Sequence, residues 1–82
     1  MILRYPVTTE RAIGMIEKEN KIVFVVDKRA NKREIKNEVE KTYNVKVARI
    51  TTLITAKGEK RAFVKLAKGF SADDIAAKLK IA

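Results

Sequence analysis

The sequence predicts an α+β fold: a small, mainly antiparallel sheet with a split β-α-β unit and helices packed on it. Three observations carry that expectation. Ile22-Val23-Phe24-Val25-Val26 is an unbroken run of β-branched and aromatic residues, the pattern of a strand covered on both faces. A capped amphipathic segment follows, with Asn31 and Glu34 at capping-box spacing and Ile35, Val39 and Tyr43 at i, i+4 and i+8. Two extended arms, 46–55 and 60–67, then flank the tight turn Ala56-Lys57-Gly58-Glu59, where glycine supplies a positive φ.

The elements follow in order. Ile2-Leu3-Arg4-Tyr5 is a short extended start, and Tyr5, preceding Pro6, is pushed away from helical geometry. A first helix begins at Thr8 or Thr9, either of which can cap it. Ala12, Ile13, Met15 and Ile16 form its apolar face, Gly14 weakens it, and Asn20 suits its C-terminal end. The apolar strand and the second helix come next, and Asn44 is the expected left-handed residue after that helix. On the 46–55 strand, Ala48, Ile50 and Ile54 share one face and Arg49, Thr51 and Leu53 the other. On the returning strand, Ala62, Val64 and Leu66 alternate with Arg61, Phe63 and Lys65. Ser71 caps a last helix, with Asp74 at the box spacing and Phe70, Ile75 and Leu79 to pack it down. The central strand needs neighbours on both edges. Inserting the returning arm between it and the 46–55 strand supplies them.

Composition narrows function. The 82 residues suit one domain, 1–82, and one small core. Lys and Arg number 19 against 10 Asp and Glu, a net charge of +9 that favours nucleic acid or another polyanion as partner. With no cysteine and no histidine, disulfides, thiolate metal sites, cysteine nucleophiles and histidine bases are excluded. No segment approaches a membrane span, and Arg4 and Pro6 interrupt any apolar leader, so a cytoplasmic protein is expected. Neither a cofactor nor a metal is expected, and catalysis is not. Ser71 has the position of a helix cap with no base to activate it, and the three glycines are too scattered for a phosphate loop. The carboxylates Asp27, Glu34, Glu38 and Glu40 lie on a helix and its entry, solvated or paired.

The cations gather twice. Lys28, Arg29, Lys32, Arg33 and Lys36 lie on the turn and first helical turns after the apolar strand; Lys57, Lys60, Arg61, Lys65 and Lys68 lie on the hairpin and its return arm. Each group holds one carboxylate, Glu34 and Glu59 respectively. Arginine offers phosphate a planar fork, lysine a mobile point charge, and the helix start near Asn31 adds backbone donors of the same sign. A solvated face with i,i+4 pairs such as Lys36 with Glu40 is the alternative for either cluster alone. Two clusters on one small sheet favour RNA binding. Phe63 shares a face with Arg61 and Lys65, but packing under a helix suits it better than stacking on a base.

Several stretches together resemble the ribosomal protein L23 family, the universal large-subunit protein at the rim of the peptide exit tunnel, in its archaeal form. They are Pro6-Val7-Thr8-Thr9-Glu10-Arg11-Ala12, the run from Phe24 to Ile35, Tyr43-Asn44-Val45-Lys46-Val47 and Gly58-Glu59-Lys60-Arg61-Ala62. The resemblance covers nearly the whole chain. It implies a non-enzymatic ribonucleoprotein component in the cytoplasm that acts in translation and binds large-subunit ribosomal RNA. Neighbouring ribosomal proteins are implied as partners, with a docking platform for a nascent-chain chaperone or the signal recognition particle. Thr51-Thr52 stands where the family usually has Asn-Thr, and both are candidate RNA contacts on that ground. Only Ala56 to Glu59 separates the hairpin strands, so the long tunnel-lining extension of bacterial relatives is not expected. The family's factor-docking glutamate matches Glu10, for which a first-turn carboxylate favoured by the helix dipole is the local alternative. A free-standing RNA- or DNA-binding module and a protein-interaction adaptor are the alternative functions.

Overall fold

An apolar run with no alternation has to be covered on both faces, and β2 is. The computed structural model describes residues 2–79. Their order is β1 (Leu3–Pro6), α1 (Glu10–Glu19), β2 (Lys21–Val26), α2 (Lys32–Tyr43), β3 (Val47–Ile54), β4 (Lys60–Leu66) and α3 (Ala72–Leu79). The sheet runs β1-β2-β4-β3 and every neighbouring pair is antiparallel. β2 and β3 therefore run parallel to each other with β4 inserted between them, the split β-α-β unit.

One face of the sheet meets two helices. Ile22, Phe24 and Val26 of β2, Ala62, Val64 and Leu66 of β4, and Val47 and Ile50 of β3 form a buried cluster with Ile35 and Val39 of α2 and Ala72, Ile75 and Ala76 of α3. Tyr43 stacks on Phe24 with ring centroids 6.0 Å apart, and its burial pushes the phenol pKa up. The opposite face is covered only in part. There Val23 and Val25 join Val7 and Ala12, with Met15 and Phe63 packed against them. α1 straddles the two layers, sending Ile16 to the first cluster and Ala12 to the second.

The caps explain the helix boundaries. The Thr9 hydroxyl accepts from the Ala12 N–H, so α1 starts at Glu10. The capping box on α2 is complete: the Glu34 N–H donates to Asn31 Oδ1 at 2.8 Å and the Asn31 N–H to Glu34 Oε1 at 3.1 Å. Asn20 and Asn44 end their helices at φ 55° and 54°. Asn20 does more. Its Nδ2 donates to the Phe70 carbonyl and its Oδ1 accepts from the Ala72 N–H, tying the end of α1 to the start of α3. At α3 the Ser71 hydroxyl accepts from the Asp73 N–H, one residue earlier than a capping box requires.

One expectation is corrected, and one pair raised as an alternative does not form. Ala48 is exposed and Val47 takes the core position, because β3 carries an irregularity between Val47 and Arg49 where one extra residue interrupts the alternation. Glu40 does not pair with Lys36. Its Oε2 accepts the Val47 N–H at 2.9 Å, a bond from the end of α2 to the first residue of β3. A partly buried backbone donor without another partner outweighs an exposed ion pair of a few tenths of a kcal/mol.

Candidate nucleic-acid interface

β2 and β4 are paired so that Val26 lies opposite Lys60, and β4 follows β3 across the five residues 55–59. This register sets the turn after β2 beside the β3–β4 hairpin. Cations from three separate parts of the sequence, Arg4, Lys28 with Arg29, and Lys57, then line one concavity at that end of the sheet. The approach is close. A Cβ added at Gly58 would lie 3.3 Å from Lys28 Nζ, and Gly58 itself sits at φ 85°. Glycine at this position is called for by the positive φ of the turn, and the mobile end of Lys28 lies beside it.

The concavity contains two carboxylates, each already engaged. Asp27 Oδ1 accepts the Arg29 N–H at 2.9 Å, which with the nearby Arg4 charge holds its pKa below the usual aspartate range. Glu59 Oε2 accepts the Tyr5 hydroxyl at 2.8 Å and Oε1 lies 3.7 Å from Arg61 Nη2. The bond to Glu59 raises the Tyr5 pKa. Arg4, Lys28, Arg29 and Lys57 are exposed and enter no ion pair among the described residues.

The rest of the first basic cluster turns elsewhere. Lys32, Arg33 and Lys36 follow α2 and line a groove beside β3, facing Ala48, Arg49 and Ile50. One run in the sequence is thus divided between two surfaces by the capping box that starts α2. The second cluster is divided too. Lys60 Nζ donates to the Ala30 carbonyl at 2.6 Å and so braces the turn after β2. Arg61 and Lys65 lie on the partly open face, opposite Leu53 and Arg49 of β3. Lys68 sits exposed in the β4–α3 turn. Thr51 pairs with Phe63 and is exposed, whereas Thr52 pairs with Ala62 on the side of α2 and α3. Glu10 is the exposed first residue of α1. Sequence reasoning did not single out Arg4 and Arg49 as site residues. Arg4 is a lone cation in an extended start, and no local pattern marks it. Arg49 left a signal, since it shares its face with Thr51.

No helix among the described residues is long and apolar enough to cross a membrane. Among the same residues, no group of three or more His, Cys, Asp or Glu gathers where it could hold a metal ion. The fold and the site define a class of protein: a small basic α+β domain that presents clustered, unpaired cations at its strand turns and beside an edge strand. Residues 1–73 match the family described as Ribosomal protein L23. The chain is also 53% identical over 73 residues to the large ribosomal subunit protein uL23 of Pyrobaculum aerophilum, covering 89% of this chain and 90% of that protein. It belongs to the ribosomal protein L23 family. It is a ribosomal protein of archaeal type, of a structural and non-enzymatic family, and its place is the ribosome in the cytoplasm.

Proposed function

We propose that the chain is a structural constituent of the large ribosomal subunit that binds ribosomal RNA directly through two basic surfaces. The carrying observation is the convergence of Arg4, Lys28, Arg29 and Lys57 at one end of the sheet, free of ion pairs among the described residues. Lys32, Arg33, Lys36 and Arg49 form the second surface. A phosphate backbone placed on either one displaces counterions and meets several donors at once. Lys65 and Thr51 extend the contact over the partly open face. Lys60 acts indirectly, by holding the turn that carries Lys28 and Arg29. This function follows the family's place in the ribosome, where RNA is the abundant anionic neighbour.

The test is a salt titration of RNA binding with Lys28→Ala, Arg29→Ala and Lys57→Ala combined. Each lost phosphate contact lowers the slope of log affinity on log salt by about 0.7–0.9. Removing three contacts therefore lowers it by roughly 2–2.7. An unchanged slope would sink the proposal for the sheet end and leave the surface merely solvated.

Glu10 carries a second part of the proposal. Exposed at the start of α1, away from the basic concavity, it serves as a docking point for nascent-chain factors near the exit tunnel. Its position in the first helical turn supports a stabilising dipole contact as well. Factor binding to purified ribosomes carrying Glu10→Ala separates the two roles.

A further inference from the structure

The partly open face of the sheet holds a groove between α1 and β4 that differs in kind from both basic surfaces. Its floor is apolar: Val7, Ala12, Met15, Val23 and Phe63. At its margin stand Arg11, Arg61 and Leu53. Among the described residues no carboxylate lines it. Leu53 is 44% exposed, one of the few large aliphatic side chains that the fold leaves in water.

We propose that this groove binds a segment of another protein in which one bulky apolar side chain is flanked by carboxylates. The apolar floor gains from removing such a side chain from water, and Met15 adapts to its shape. The margin selects the charge. Among the described residues Arg11 is exposed and enters no ion pair, and Arg61 is held only loosely by Glu59, at 3.7 Å. Guanidinium groups with unused donors beside an apolar floor suit an acidic peptide, which arginine holds by charge-assisted bonds. The net charge of +9 works against a basic partner and against a second copy of this chain.

RNA is the less suited occupant. Its affinity rests on phosphates, and the groove offers two arginines where the basic surfaces each offer a cluster. Phe63 is packed into the cluster of Val7, Ala12, Val23 and Val25, so it forms a wall of the groove more than a platform for a base. The sheet-end cations take no part in it, and Lys65 and Thr51, which the RNA-binding proposal places on this face, do not line the groove.

The test uses the full chain and a random peptide library displayed on phage. Enriched sequences are expected to place Leu, Phe, Met or Trp next to Asp or Glu. A synthetic peptide of the enriched sequence should shift the methyl resonances of Met15 and Leu53. Arg11→Glu and Leu53→Asn, each checked for an unchanged fold by circular dichroism, should each weaken that peptide about tenfold. Lys28→Ala should leave its affinity unchanged. Enrichment of basic sequences, shifts confined to other surfaces, no enrichment, or displacement of the peptide from Met15 by a single-stranded RNA oligonucleotide would each overturn the proposal.

Discussion

The two faces of the sheet solve opposite problems. On the face under α2 and α3, Ile22, Phe24, Val64, Ile35 and Val39 are all but completely buried, and neither a charge nor a polar side chain is buried among the described residues. At the sheet end and on the partly open face, Tyr5, Leu53 and Ile54 remain exposed among unpaired cations. The first region is complete within the chain. The second is stable in water and still has donors and apolar surface to give to a partner. Stability and the surfaces proposed for binding thus reside in different residues, joined through the β2–β4 pairing that positions both.

That division can be broken by experiment. The largest effect is expected in the covered face. Ile35→Ala removes a fully buried side chain between α2 and the sheet and should cost about 2–5 kcal/mol, read as a lower denaturation midpoint. On a domain of this size that is a large share of the total stability. RNA affinity of the fraction that remains folded should not change. A midpoint equal to the parent would show that α2 does not carry the core.

Asn20 and Asn44 offer a finer comparison, since both end a helix in the left-handed region. Asn20→Gly keeps that backbone open but loses the two side-chain bonds to Phe70 and Ala72. With each bond contributing about 0.5–1.5 kcal/mol net, it should destabilise the fold by roughly 1–3 kcal/mol. Among the described residues the Asn44 side chain makes no hydrogen bond, so Asn44→Gly should move the midpoint far less. Equal losses would mean that the α1–α3 tie contributes nothing.

Glu10 tests the exposed region. If its role is docking, Glu10→Ala weakens factor binding to ribosomes and leaves assembly into the large subunit intact. If it only complements the dipole of α1, the change costs about 0.3–1 kcal/mol in the isolated chain and factor affinity stays the same. Asp27 should give the smallest effect. Its folded pKa is depressed, so its contribution is present above the ordinary aspartate range and is lost as pH falls below that range. Asp27→Asn should therefore flatten the acid limb of the stability profile. An unchanged limb would show that the Arg29 N–H bond does not couple to folding.

Much of this was legible in the chain. Asn31 and Glu34 meet because a capping box is local, three residues apart on a rigid turn. The stripe of Ile35, Val39 and Tyr43 followed from helical period alone. The order of the strands followed from the need to cover an unbroken apolar run on both edges. Spacing misled at Ala48, because one extra residue shifts alternation and nothing local announces it. At Glu40 the i,i+4 pairing with Lys36 that spacing allows does not form, because a distant backbone donor outcompetes the neighbouring lysine.

What the sequence determined by itself was the set of elements, their caps and the sign of the surface, since these depend on contacts within a few residues or on composition. Only the tertiary structure decided which cations lie together. Lys28 and Lys32 are four residues apart and line different surfaces, while Arg4 and Lys57 are far apart in the chain and line the same concavity. The physical reason is the register of β2 against β4. It brings turns from separate parts of the chain to one end of the sheet, and register is set by the packing of the whole apolar face.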